Sequence, residues 1–324
     1  MNGFLNWWDE RCRSVGPLRF IDICLRGIGQ VMFQDNPVSG LLFLLAVGWG
    51  SVAAGVPEVA IGGVIAVLVA TVTAWWLRVD DAALGAGLFG YNAFLVGIAL
   101  PTFLAASPLL WTYLVIGAMV SVVATLAVAN LMKTWGVAAL TAPFILVTWL
   151  LLLSAYAFSG IHGEALPSPG QIAPIPAEAA QPLAVADFVQ GMLISISQVF
   201  VKGNGIAALL ILAGLAAGSL AAAGIAVAAA LISVIVAHAL GAESQLITAG
   251  LTGFNPILTA IALGTVFYQP SARVMVYTLI ATVLTVMVQG AMVSALTPFG
   301  IPTLTASFVL VTWLFLLSGQ KLDS

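Results

Sequence analysis

Charge is what this sequence has least of. Only 6% of its 324 residues are Asp, Glu, Lys or Arg, nine cations against twelve anions, where a soluble domain carries about a quarter. A chain that is 62% apolar cannot cover its surface with polar groups in water, but it can face lipid. The composition therefore predicts a membrane protein. The few basic residues form no patch that would bind phosphates, which excludes nucleic acid as a partner. Cysteine is scarce too. Cys12 and Cys24 are the only two, and they form neither a metal-ligand pattern nor a disulfide framework. No Ser/His/Asp set, metal-binding cluster or phosphate-binding loop can be assembled, so the sequence predicts no enzyme and no cofactor. Arg11, Arg13, Asp22 and Arg26 interrupt the first apolar stretch, and the N-terminus does not read as a cleaved signal peptide.

What is present is a chain written twice. Two halves align at an offset of 163 to 168 residues. Gln30, Val31 and Asn36 recur as Gln198, Val199 and Asn204. The stretch from Leu88, LFGYNAFLVGIAL, recurs from Leu251 as LTGFNPILTAIAL. Thr141-Ala142-Pro143-Phe144 with Thr148-Trp149 recurs as Thr305-Ala306-Ser307-Phe308 with Thr312-Trp313. Three polar-bearing blocks in one order point to a duplication. The expected organisation is a first repeat over 1–158, a Pro-rich extracytoplasmic linker over 159–186 and a second repeat over 187–324.

Apolar segments lie near 17–34, 37–54, 57–77, 82–104, 108–131 and 138–158, and again near 187–202, 205–221, 222–240, 246–267, 272–295 and 303–318. A crossing needs about 20 residues, and several segments are short. The segment around Gly85, Gly87, Gly90 and Asn92 is rich in helix breakers. It is expected to enter and turn back, because non-helical backbone at that depth must be buried in protein or line a wet cavity. The prediction is an all-α polytopic protein with five crossings plus one re-entrant half-helix per half. An odd count inverts the second half; twelve plain helices with parallel halves is the alternative. The linker lacks Lys and Arg, which places it outside, with Arg11, Arg13, Lys133 and Lys321 inside and both termini cytoplasmic. Arg78 breaks this pattern.

Polar residues repeated in both halves carry the functional weight. The asparagines Asn92 and Asn255 suit helix ends, Thr141 and Thr305 suit a pore lining, and Gln30 and Gln198 suit either role. Asp22 and Arg26 stand one helical turn apart and can pair. Asp35 suits a helix start, His238 has no twin, and Glu243 and Asp80 read as loop residues. A bare ion in so neutral a route costs several kcal/mol, whereas a neutral solute costs far less. Side-chain oxygens and free carbonyls suit a solute rich in N–H donors. Phe33, Tyr91, Phe254, Leu95 and Leu258 could form flat slots, although membrane aromatics commonly just pack. Residues alone thus predict a neutral-solute pore.

At these motifs the sequence resembles the urea transporter family over essentially its whole length, a family that includes bacterial urea channels. GQVMFQDNPVSG at 29–40, LFGYNAFLVGIAL at 88–100 and LTAPF at 140–144 carry the resemblance, with SQVFVKGNG at 197–205, LTGFNPILTAIALG at 251–264 and TPFGIPTLTASF at 297–308. It implies an inverted-repeat fold, a homotrimer with one pore per protomer, a bacterial inner (plasma) membrane and passive passage of urea. Carried over, the constriction is Thr141 with Thr305, flanked by Leu95 and Leu258. Phe33, Tyr91, Val199 and Phe254 form slots, Gln30 and Gln198 border an oxygen ladder, and Val31, Leu88 and Leu251 complete the lining. The sequence departs from strict pairing at two places. Tyr91 stands opposite Phe254, and Lys202-Gly203-Asn204-Gly205 stands opposite Gln34-Asp35-Asn36-Pro37. The competing reading is an ion-coupled transporter for a related amide, drawing on Asp22, Asp35, His238 or Glu243. An ammonium or water channel lacks the paired histidines or twin Asn-Pro-Ala turns it would need.

Overall fold

The computed structural model describes residues 7–8, 10–12 and 15–319; Arg13 and Lys321, used above to orient the chain, lie outside them. Helix starts follow local chemistry. Asn36 caps α2 (Pro37–Ala53) by accepting from Val38 N, with Pro37 preset for the first turn. Its twin Asn204 caps α9 (Gly205–Gly218) by accepting from Ile206 N and Ala207 N. Ser107 and Ser271 cap α6 (Pro108–Lys133) and α13 (Ala272–Leu296) in the same way.

The remaining helices of the first half are α1 (Gly16–Gly29), α3 (Glu58–Trp76), α4 (Asp81–Gly85), α5 (Tyr91–Phe103) and α7 (Ala142–Ser154). The second half adds α8 (Val185–Gln198), α10 (Leu220–Ala239), α11 (Ser244–Thr248), α12 (Phe254–Ile261, continued by a wide turn over Ala262–Val266) and α14 (Ala306–Leu317). Among the described residues the only β-pairing is an isolated bridge between Leu104 and Gly163.

Among the described residues four helices, α3, α6, α10 and α13, are long and apolar enough to cross a membrane, and α1 with α2, bent by 75°, would make a fifth span. The chain is an all-helical membrane protein. Its outer surface exposes large apolar side chains such as Val52, Trp76, Leu131, Leu150 and Leu220, which suits lipid and not water. The helices α5, α7, α9, α12 and α14 are apolar but shorter than a crossing. Several are cut short by backbone in the left-handed region, and these turns fall at sequence-paired positions. Gly87 and Gly250 (φ 75° and 71°) precede α5 and α12, whereas Leu140 and Leu304 (φ 51° and 50°) precede α7 and α14. The break expected near Gly85–Asn92 lies between α4 and α5.

The halves meet along α2 and α9. Gly50, late in α2, lies against the methylenes of Lys202 just before α9, while Gly218 at the end of α9 lies against Gln34 just before α2. These twin helices therefore run antiparallel. Phe43 of α2 packs at a tilt against Phe200 with 5.2 Å between ring centres, and Phe200 meets Phe94 of α5 edge-on at 6.3 Å. One aromatic chain thus joins both halves.

Close backbone approach explains the paired glycines. A Cβ on Gly87 would strike the backbone of Gly27, and one on Gly250 the backbone of Ser195. Gly87→Ala and Gly250→Ala each add this clash to a left-handed conformation that costs about 1–2 kcal/mol for a residue bearing a Cβ. Both variants should lower the midpoint of thermal unfolding in detergent; a wild-type midpoint would contradict the packing described.

Candidate functional site

The short helices α7 and α14 begin at twin threonines. Thr141 and Thr305 occupy the position before each first turn, and both are almost fully buried, at 4% and 3% exposure. Their hydroxyls meet: Thr141 Oγ1 and Thr305 Oγ1 stand 2.6 Å apart, a hydrogen bond spanning 164 residues of chain. The pair expected from the sequence at the constriction is brought together inside the protein.

Two asparagines hold these helix starts. A helix leaves its first amide groups without intrahelical partners. Asn92 Oδ1 accepts from Phe144 N at 3.2 Å, and Asn255 Oδ1 accepts from Phe308 N at 3.4 Å. Each asparagine turns its amide toward the carbonyl of the left-handed residue just before the threonine. Asn255 Nδ2 donates to Leu304 O at 3.0 Å, and Asn92 Nδ2 reaches Leu140 O at 3.5 Å. In the first half the better donor to that carbonyl is Tyr91, whose hydroxyl gives Leu140 O a 2.7 Å bond. The extra hydroxyl of Tyr91 is thus engaged by the scaffold. Thr125 accepts from Asn92, and Gln289 accepts from both Asn255 and Ser307 while donating to Thr303. The asparagines brace the helix starts, as their helix-end motif implied.

Two tryptophans tie the helices across the halves. Trp149 Nε1 on α7 donates to Pro302 O ahead of α14, and Trp313 Nε1 on α14 donates to Ala138 O ahead of α7, each at 2.9 Å. The sequence showed this Trp pair as a repeat without revealing its use.

Gln30 and Gln198 act alike. Each Nε2 donates at 2.9 Å to a carbonyl in the turn before the following broken segment, Ala86 O and Ala249 O. Among the described residues no donor reaches either Oε1, so both oxygens stay available as acceptors. Val31, Val199, Leu95, Leu258 and Phe254 are buried, whereas Leu88 and Leu251 are each 39% exposed on the turns before α5 and α12. Phe33 is half-buried and meets Phe308 and Phe267 edge-on, at 6.1 Å and 6.3 Å. Those two rings were not singled out in the sequence, although Phe308 was visible there as the match of Phe144.

Charge lies elsewhere. Arg26 binds Asp22 and Asp35, each at 2.8 Å, and Trp8 donates to Asp22. Asp80 caps α4 through Ala83 N, and His238 stands edge-on to Phe188. Lys202, visible in the sequence as a departure from strict pairing, lies in a loop yet is only 5% exposed. Among the described residues no group of three His, Cys, Asp or Glu side chains could hold a metal.

The fold and this site define a class: an all-helical membrane protein in which two matched chain segments bring neutral polar groups together at the buried starts of short helices. Comparison with known proteins gives the family. A family model described as Urea transporter matches residues 21–320, and the chain belongs to the urea transporter family. It is similar to Urea transporter 1 of Ovis aries and of Capra hircus, 28% identical to each over 324 residues, with 99% of this chain and 82% of each relative covered. Similarity to Urea transporter 1 of Rattus norvegicus is also 28%, over 98% of this chain and 81% of the relative.

Trp149→Phe and Trp313→Phe each leave a carbonyl without its donor. Loss of the part-buried Trp149 bond should cost about 1–3 kcal/mol and loss of the exposed Trp313 bond about 0.5–1.5 kcal/mol, each read as a lower unfolding midpoint with helical content unchanged. Unshifted midpoints for both would mean that the indoles do not tie the helices.

Proposed function

We propose that the chain is a facilitative channel passing urea down its gradient through a narrow, uncharged pore between its halves. The observation that carries this reading is the buried contact of Thr141 and Thr305 at the starts of α7 and α14. A planar solute with four N–H donors and one carbonyl needs acceptors on its way and a donor for its oxygen. Threonine hydroxyls serve as both. The free Oε1 atoms of Gln30 and Gln198 add acceptors, and Leu95, Leu258, Phe33, Tyr91, Val199 and Phe254 supply flat apolar walls. Val31, Leu88 and Leu251 complete the lining. A neutral solute crosses such a site by exchanging hydrogen bonds with water for hydrogen bonds with the wall, while an ion would lose hydration that nothing replaces.

In this reading residues 1–158 and 187–324 are inverted repeats, each of five crossings and one re-entrant half-helix, joined by an extracytoplasmic linker over 159–186. The antiparallel packing of α2 and α9 and the paired left-handed turns support the inversion. A homotrimer in the plasma membrane, with a pore in each protomer and both termini cytoplasmic, accords with the family resemblance.

The test is tracer flux in proteoliposomes. Urea should equilibrate at the same rate with sodium and proton gradients present or dissipated; flux that vanished with the gradient would point to ion coupling instead. Thr141→Val and Thr305→Val keep shape and remove a hydroxyl. Each should slow urea roughly tenfold, the effect of one hydrogen bond worth about 1.4 kcal/mol lost at the barrier. Wild-type flux in both variants would remove the threonines from the pathway.

A further inference from the structure

The matched halves differ most sharply at a buried cation. In the first half, Arg26 is neutralised by Asp22 and Asp35. In the second half, the residue paired with Asp35 is Gly203, and beside it Lys202 stands where the first half has Gln34. Gln34 is neutral: its amide nitrogen donates to Met32 O, and its side chain fills the space against Gly218. Lys202 is not. Its methylenes lie against Gly50, where a Cβ would come within 3.1 to 3.3 Å of them. Only 5% of the residue is exposed, and among the described residues its ammonium forms no hydrogen bond or ion pair.

Lys202 lines a cavity of about 290 Å³ together with Gly50, Ala53, Ala54, Val56, Thr102, Val201, Gly203 and Asn204. No carboxylate lines it. Two of its lining residues, Gly203 and Asn204, carry further donors. Asn204 spends its oxygen on Ile206 N and Ala207 N, which leaves its Nδ2 unengaged, and the Gly203 N–H has no backbone partner. These groups form the start of α9, a 14-residue helix whose N-terminus carries partial positive charge. The stem of Lys202 is buried against Gly50 while its charged tip has no counter-charge beside it. Carbonyls at the end of α2 can solvate an ammonium but cannot neutralise it.

We propose that this cavity binds a small monovalent anion, of halide or simple carboxylate size, held by the Lys202 ammonium and the donors at the start of α9. The volume admits one such ion with a few waters, and the side chains there supply donors without acceptor charge.

Bromide is the probe. Crystals of the full chain grown in bromide should show an anomalous peak within about 3.5 Å of Lys202 Nζ, and the peak should vanish in Lys202→Met. In detergent, replacing gluconate by bromide or chloride should raise the unfolding midpoint of the wild type and of Lys202→Arg. Lys202→Gln, which installs the residue used at the twin position and so suits the fold, should lose that shift while remaining folded. No peak at Nζ in the wild type, or a halide shift of equal size in Lys202→Gln, would overturn the proposal.

Discussion

A helix that begins in the interior of a membrane protein exposes amide groups that lipid cannot satisfy and bulk water does not reach. Much of this structure answers that one constraint. The starts of α7 and α14 require Asn92 and Asn255, each bonding a helix amide with its oxygen and turning its nitrogen to the carbonyl behind it. The asparagines require their own partners, Thr125 in one half and Gln289 in the other. Left-handed Leu140 and Leu304 turn the chain so that the threonines that follow can face each other. A residue with a Cβ in that conformation is strained, and such strain persists only where surrounding bonds over-determine it. Those bonds are the ones just named.

The same logic separates scaffold from passage. Groups that hold the helices are saturated: Asn92, Asn255, the indoles of Trp149 and Trp313, and the Tyr91 hydroxyl all have partners. Groups suited to a passing solute keep spare capacity, as the oxygens of Gln30 and Gln198 do. One side chain serves both ends, because the glutamine nitrogen fixes the turn that its oxygen borders.

Much of this was legible in the sequence because duplication filters function from background. Gln, Asn, Thr and Trp recurring in step marked the residues that later proved to be bonded or in contact. Thr141 and Thr305 could be paired before any geometry was known, since each opens an apolar stretch after a matching lead. Other features were hidden for physical reasons. No pattern in the sequence says that Trp149 bonds the other half's lead and not its own, because the partner is a backbone carbonyl with no side-chain signature. Left-handed leucines leave no trace where glycine would have announced them. Gln289 stands opposite Thr125, and because the two differ in type the pair did not show as a recurring residue. Lys202 showed in the sequence only as a departure from strict pairing, and the packing of its stem on Gly50 reveals that it is buried.

The crossed indole bonds also bear on how such a protein moves. Each short helix is tied to the segment that launches the other, so a tilt of α7 drags the lead of α14, and the reverse holds with equal force. Transporters that work by rocking need one bundle to slide freely past its counterpart. Here the two bundles are tied by the crossed indole bonds and by the hydrogen bond between Thr141 and Thr305. Such cross-ties resist the sliding of one bundle past the other that a rocking frame would demand.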